Sequence, residues 1–259
     1  MLNRTSEGGS IDRDKRLNFT FNGIRYAGFE GDTLASALLA NGVHLVGRSF
    51  KYHRPRGIVA AGAEEPGAMV QLEEGAQTQP NIRATQIELY EGLTANSVNV
   101  WPSVDYDISA VNGLFAKIFT AGFYNKTFMW PRSFWMKLYE PIIRRAAGWG
   151  RAPEHADPDI YDHMQCHADV LIVGAGPTGL AAALEAGRAG ARVVLVDEQS
   201  ELGGSLLTLN REIDGITSLE WLENTKAELE AMPEVRILPR TMLFGYYDHN
   251  YLVGLEQKT

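Results

Sequence analysis

Cysteine is almost missing. The chain has one, Cys166, in 259 residues. One thiol cannot close an internal disulfide, build a zinc cage or supply four thiolates to an iron–sulfur cluster. A cytoplasmic protein without a metal site is the simplest expectation. Long apolar runs are also missing. No window approaches the ~18 uninterrupted apolar residues of a membrane-spanning helix, so no membrane is expected. The opening stretch, MLNRTSEGGSIDRDKR, is polar and lacks the apolar core of a secretion signal. Positive charge is in deficit, with 24 Lys and Arg against 32 Asp and Glu, a net charge of −8. That balance argues against a general nucleic-acid binder. What remains is ordinary globular composition, 45% hydrophobic and 22% charged. The length suits one to two domains.

Residues 1–16 read as a polar arm. From Leu17 the sequence alternates through Phe19 and Phe21, turns at Asn22-Gly23 and alternates again through Ile24-Arg25-Tyr26, the signature of a hairpin. Asp32-Thr33 precede Leu34, Leu38, Leu39 and Ala40, which have helical spacing, and Asn41-Gly42 ends that helix. Val70-Gln71-Leu72 and Thr85 to Leu89 read as further strands. Hairpin, helix, long loop and strands predict an α+β domain of the β-grasp type over 17–105. A bridging segment and linker over 106–167 follow. Nine aromatics crowd into 115–139: Phe115, Phe119, Phe123, Tyr124, Phe128, Trp130, Phe134, Trp135 and Tyr139. The favoured reading is a bridge packed on both neighbouring domains, and the rival is a docking surface for other protein. Residues 148–167 have linker composition, and a second, α/β domain covers 168–259.

That domain carries the strongest motif. Ala168-Asp169-Val170-Leu171-Ile172-Val173 is a buried-strand pattern. It runs into Gly174-Ala175-Gly176-Pro177-Thr178-Gly179, then an Ala-rich helix from Leu180 to Ala189 closed by Gly190. Arg192 to Asp197 read as a second buried strand that ends in the acid Asp197. Strand, G-x-G-x-x-G, helix, strand and acid occur in the order a dinucleotide site requires. Gly174 permits the tight turn, Gly176 admits the pyrophosphate, and Gly179 lets helix and strand approach. The helix N-terminus offers free N–H groups to the phosphates. Asp197, 18 residues beyond Gly179, accepts from a ribose diol and repels a 2′-phosphate, which favours NAD or FAD over NADP. Paired glycines at Gly203-Gly204 suit a second close backbone approach, or simply a turn, and Ser205 offers a hydroxyl. Thr217-x-x-Glu220 opens a helix to about Ala231. Val235 to Leu238 is a third parallel strand, and Thr241 to Gly245 and Tyr251 to Leu255 add more. A doubly wound domain needs more strands than these, so the Rossmann-like domain reads as truncated.

Three stretches carry a family resemblance. Gly47-Arg48-Ser49-Phe50-Lys51-Tyr52-His53-Arg54-Pro55-Arg56-Gly57 resembles the signature of a ferredoxin-like domain fused to a dinucleotide-binding domain in amine-oxidising enzymes. Together with VLIVGAGPTGLAAALEAGRAGARVVLVDEQSELGGSLL and FGYYDHNYLV, it resembles the alpha subunit of heterotetrameric sarcosine oxidase from about residue 17 onward. Relatives that carry a [2Fe-2S] cluster place cysteines in the following loop. Here Val59, Glu64 and Gly67 stand near those positions, and none is a thiol, so the domain reads as a retained scaffold. Arg48, Lys51, His53, Arg54 and Arg56 are able to bind an anion. The favoured reading is structural, with ion pairs holding the loop against the second domain and His53 packed rather than catalytic.

The resemblance implies an enzyme that demethylates sarcosine to glycine with oxygen, forming hydrogen peroxide and passing the one-carbon unit to tetrahydrofolate. It places FAD and FMN with the beta subunit, and it makes the beta, gamma and delta subunits the partners. It gives this chain NAD, which is no obvious redox participant, and no catalytic residue. By family matching, Pro177 and Thr178 lie at the phosphate turn, Asp197, Glu198 and Gln199 at the adenosine ribose, Gly204 and Ser205 at a phosphate, and Leu243 at the adenine. The alternatives are an FAD-binding subunit of an amine or opine dehydrogenase and a non-catalytic assembly subunit.

Overall fold

The first hairpin forms where apolar residues alternate and Asn22-Gly23, both at positive φ, reverse the chain. In the computed structural model, which describes residues 3–119, 122, 128–146, 150–209 and 211–258, the chain divides into two units, Met1–Ile160 and Tyr161–Thr259.

In the first unit, β1 (Asp12–Phe21) pairs antiparallel with β2 (Ile24–Glu30). The strand thus begins ahead of Leu17 and takes in part of the polar arm. Lys15 pairs with Glu30 across the strands in this extension. Helix α1 (Leu34–Ala40) follows, capped by Thr33 and Ser36, whose side chains each accept from the other's backbone N–H. Two short strands, β3 (Gly47–Arg48) and β4 (Pro55–Arg56), close the basic loop on itself. The main sheet is completed by β5 (Met69–Leu72), β6 (Gln79–Arg83) and β7 (Thr94–Ser97), in the order β2-β1-β7-β5-β6. The β1–β7 pair is parallel and the rest antiparallel. Helix α1 buries Leu34, Ala37 and Leu38 against Phe19, Phe21 and Val70, the β-grasp arrangement.

One expected strand is corrected. Thr85 to Leu89 does not join the sheet. Residues 84–86 form a single 3₁₀ turn, while Ile87 and Leu89 are buried and exchange backbone bonds with Leu34 and Asp32. The alternation reported a buried face, but its pairing partner is the entrance to α1. The sheet strand is β6, which Pro80 and a positive-φ Asn81 concealed.

Within 106–146 many apolar side chains face outward. Leu114, Trp130 and Met136 expose 82%, 79% and 72% of their surface. The described segment lies within the first unit. Its rings stack on one another, Phe128 against Phe119 and Tyr139, and α2 (Glu140–Ala146) follows. Phe123 and Tyr124 lie outside the described residues.

The second unit is built on a parallel sheet of β8 (Val170–Val173), β9 (Val193–Val196) and β12 (Val235–Leu238), in the order β12-β9-β8. Central β9 is buried along its whole length, as its continuous valine-rich run requires. Helix α3 (Pro177–Arg188) connects β8 to β9. It buries Leu180, Ala183 and Leu184 at helical spacing. It starts at Pro177, ahead of the expected Leu180, because proline lacks only an N–H that the first turn leaves unbonded anyway. A small hairpin of β10 (Glu212–Ile213) and β11 (Ile216–Thr217) leads into α4 (Ser218–Ala231), where the Thr217 hydroxyl accepts from the Glu220 amide. β13 (Thr241–Tyr247) and β14 (Tyr251–Glu256) make a separate antiparallel ribbon. No helix among the described residues is long and apolar enough to cross a membrane.

Candidate dinucleotide-binding site

The site lies at the C-terminal ends of β8 and β9, where open α/β sheets hold ligands. The three motif glycines act in three different ways. Gly174 has φ of +96°, which a side chain would resist, and its amide bonds the Val196 carbonyl at 2.8 Å. That bond ties the turn to β9. At Gly179 an added Cβ would run into the Gly174 carbonyl, so the turn closes only around a glycine. Gly176 is different. Its φ of −72° and ψ of −178° suit any residue, and an added Cβ would meet nothing within 4 Å. Neither backbone nor packing within this chain demands glycine there.

The paired glycines belong to the same place. Gly203, at φ +124°, donates to the Ala175 carbonyl at 2.9 Å, and a Cβ on Gly204 would lie 3.2 Å from the Gly176 Cα. Two backbones approach here because neither carries a side chain. Gly203-Gly204 thus packs against the glycine-rich turn. Ser205 lies in the 3₁₀ turn Gly204–Leu207. Thr178 is exposed in the first turn of α3, next to Pro177 at its start.

Asp197 does more than end β9. Its Oδ2 accepts from the Ala175 amide at 2.6 Å and its Oδ1 from the Gln199 amide at 2.8 Å. The carboxylate clasps the glycine-rich turn from the β9 side. Glu198 beside it is exposed, and Gln199 is half-buried. Thr241 donates to the Asp197 carbonyl at 2.7 Å, which anchors β13 at the acid. Leu243 lies farther along that strand, paired with Gly254, whose missing side chain makes room for the leucine. The structure thus brings Gly174, Gly176, Gly179, Asp197 and Gly204 together through named contacts. Ala175 and Thr241 join these contacts through their backbone amides, which no side-chain pattern in the sequence announces.

At the opposite end of β8, Asp169 binds the Arg192 guanidinium at 2.6 Å. The Arg192 hydrogen bonds pull the Asp169 pKa down to about 2. This exposed pair joins the ends of β8 and β9, away from the cradle.

Part of the basic signature is tied into the first unit by hydrogen bonds. Arg48 Nε donates to the Val104 carbonyl at 2.8 Å and Nη1 to the His53 carbonyl at 2.9 Å. His53, buried and at φ +52°, meets the Asp107 carboxylate through Nδ1 at 2.7 Å. Lys51 and Arg54 both lie over the Tyr52 ring, 5.0 Å from its centre. The Arg48 and His53 contacts hold the loop to residues 104–107 of its own unit.

Residues 14–100 match the family described as a 2Fe-2S iron-sulfur cluster binding domain, and residues 169–215 the family described as FAD dependent oxidoreductase. The chain is 58% identical over 254 residues to the sarcosine oxidase alpha subunit of Rhizobium meliloti, covering 98% of this chain and 26% of that protein. This chain is homologous to an N-terminal portion of sarcosine oxidase alpha subunits. The alpha subunit from Corynebacterium sp. strain U-96 is 38% identical over 97% of this chain and 22% of its own length. The chain therefore spans about a quarter of the alpha subunits it matches. A shorter match joins 46 residues to an opine oxidase subunit of Rhizobium meliloti at 56% identity, 17% of this chain and 9% of that protein. Among solved structures, L-proline dehydrogenase from P. horikoshii superposes with a TM-score of 0.54 over 94% of this chain and 37% of its own, at 19% identity. That likeness supports the fold.

The two matched families imply two groups, and the residues of this chain fit only one. The cradle at Gly176 and Gly204 fits the pyrophosphate of an adenine dinucleotide. The ferredoxin-like domain offers no thiol, since Cys166 lies outside residues 14–100. It does not fit a [2Fe-2S] cluster.

Proposed function

We propose that this chain is the NAD-binding N-terminal portion of the alpha subunit of a multi-subunit, cytoplasmic sarcosine oxidase. The complete enzyme would oxidise sarcosine to glycine, with hydrogen peroxide formed and tetrahydrofolate accepting the one-carbon unit. The observation that carries the ligand assignment is Gly176, a glycine with no conformational or packing reason inside the chain and open space where its side chain would be. Gly174, Gly176, Pro177, Thr178 and Gly179 line the pyrophosphate side, with Gly204 and Ser205 opposite. Asp197 positions the turn, and with Glu198 and Gln199 it addresses the adenosine ribose. The adjacent acids disfavour a 2′-phosphate and hence NADP. Leu243 contributes backbone contact to adenine.

These residues address the ADP half, which NAD and FAD share. The choice of NAD rests on the resemblance to sarcosine oxidase alpha subunits. FAD and FMN would reside with the beta subunit, and gamma and delta subunits would complete the assembly. This portion supplies binding and subunit contacts and no catalytic side chain. A second reading, an FAD-binding subunit of an amine or opine dehydrogenase, draws on the FAD dependent oxidoreductase match and the opine oxidase similarity over the same stretch.

The deciding experiment denatures the purified chain after incubation with NAD and FAD together, then identifies the retained nucleotide by absorbance and mass spectrometry. Retained NAD is the expected result. Retained FAD would replace this reading with the dehydrogenase one, and retention of neither would refute the site.

A further inference from the structure

The loop that follows the basic signature is the place where cluster-carrying relatives put their cysteines, yet here it is well organised without them. Its centre is Glu65, 1% exposed. One carboxylate oxygen accepts from the Val59 and Ala60 amides, both at 2.7 Å, and the other from Gly67 at 2.6 Å and Ala68 at 3.1 Å. Four backbone N–H groups from both arms of the loop thus converge on one buried anion. The surroundings hold the geometry. Arg83 Nε donates to the Glu65 carbonyl at 3.1 Å, and the Thr85 hydroxyl donates to the Gly62 carbonyl at 2.8 Å. At Gly67 an added Cβ would come within 3.3 Å of the Glu65 carboxylate and 3.2 Å of the Gly57 carbonyl.

Convergent backbone amides form a concavity that selects negative charge. A neutral side chain would leave buried donors facing one another or unbonded, each at a cost comparable to a lost hydrogen bond. We propose that Glu65 is an internal anion around which this loop folds, so that a carboxylate of the chain itself holds the ferredoxin-like domain together where no cluster can be ligated. The domain then serves as a rigid, redox-silent element. Bonds to an ionised acceptor are shorter and stronger than neutral ones, which suits one side chain organising ten residues of loop.

The test is hydrogen exchange on the full chain, comparing wild type with Glu65→Gln. The glutamine amide would present N–H groups to backbone N–H groups. Exchange at Val59, Ala60, Gly67 and Ala68 should accelerate by at least about tenfold, while amides of the β1–β2 hairpin stay protected. Unchanged protection of those four amides would overturn the proposal. Should Glu65→Gln not fold, Glu65→Asp decides. The shorter side chain keeps the charge but loses reach, so faster exchange confined to the four amides supports the proposal and unchanged exchange refutes it. In parallel, anaerobic incubation of wild type with ferrous iron and sulfide should yield no visible charge-transfer absorption. A stably bound iron–sulfur chromophore would equally refute it.

Discussion

Gly176 and Gly179 share one turn, yet a side chain would do different damage at each. Valine at Gly176 meets allowed backbone angles and open space, so Gly176→Val should fold normally and lose dinucleotide binding in calorimetry. Alanine at Gly179 collides with the Gly174 carbonyl inside the turn itself. Gly179→Ala should therefore destabilise the second unit by about 1–3 kcal/mol in denaturant titrations, typical of overpacking. Glu65 gives a third residue-scale prediction. Burial alone would raise its pKa, but bonds from the Val59, Ala60, Gly67 and Ala68 amides outweigh that and leave it lowered. A group with a depressed folded pKa contributes stability that is fully present above its unfolded value and lost as pH falls through its folded value. Charged neighbours include Glu64, which bonds the Ala61 and Gly62 amides, Arg83, whose guanidinium meets the Glu65 carbonyl, and Arg56, whose side chain reaches the same Gly67 as the Glu65 carboxylate. Acid titration followed by hydrogen exchange should show the 59–68 loop opening below the ordinary glutamate range in wild type. Glu65→Gln should lack that step.

At the scale of elements, α1 begins where Thr33 and Ser36 exchange side-chain bonds with the backbone, and Asp32 supports the same corner. Asp32 accepts from the Phe29 amide, the Ser36 hydroxyl and Arg4 at 2.6–2.9 Å. Thr33→Ala should cost the first unit about 1 kcal/mol in chemical denaturation, the usual worth of an N-cap. The elements that were legible in advance share a local cause. The first hairpin has its turn dipeptide, α1 its cap, and α3 its proline and glycines. β9 shows a continuous apolar run because a central parallel strand is buried on both faces. Thr85 to Leu89 misled because burial alternates along it, as along a strand, while its backbone partners lie at the α1 entrance. Alternation reports which face is buried and is silent about what pairs with the edge.

Across the whole molecule, the two units differ in what they are built to do. The first closes a core of Phe19, Phe21, Leu38 and their neighbours around a loop centred on Glu65. The second presents three parallel strands with glycine-lined backbone at their C-terminal ends. Ligand binding should register in the second unit only. At a hundredfold excess of NAD over its dissociation constant, linkage adds about 2.7 kcal/mol to the stability of the state that binds it. Hydrogen exchange should then slow at residues 174–179 and 203–205, with β1, β2 and α1 unchanged. Slowing spread evenly over both units would contradict a site confined to the dinucleotide cradle.

The residues alone determined the dinucleotide motif, the β-grasp order of elements and the impossibility of a cysteine-ligated cluster, because each depends on local spacing or on the presence of a chemical group. Only the tertiary structure decided which glycines the fold itself requires and which it leaves facing open space, since a missing Cβ acquires meaning from what stands in front of it. It likewise decided that Asp197 clasps the turn, that the Arg48 loop binds its own unit and that Glu65 takes four amides. Those roles join residues through space, and a one-dimensional pattern does not encode where a buried carboxylate finds its donors.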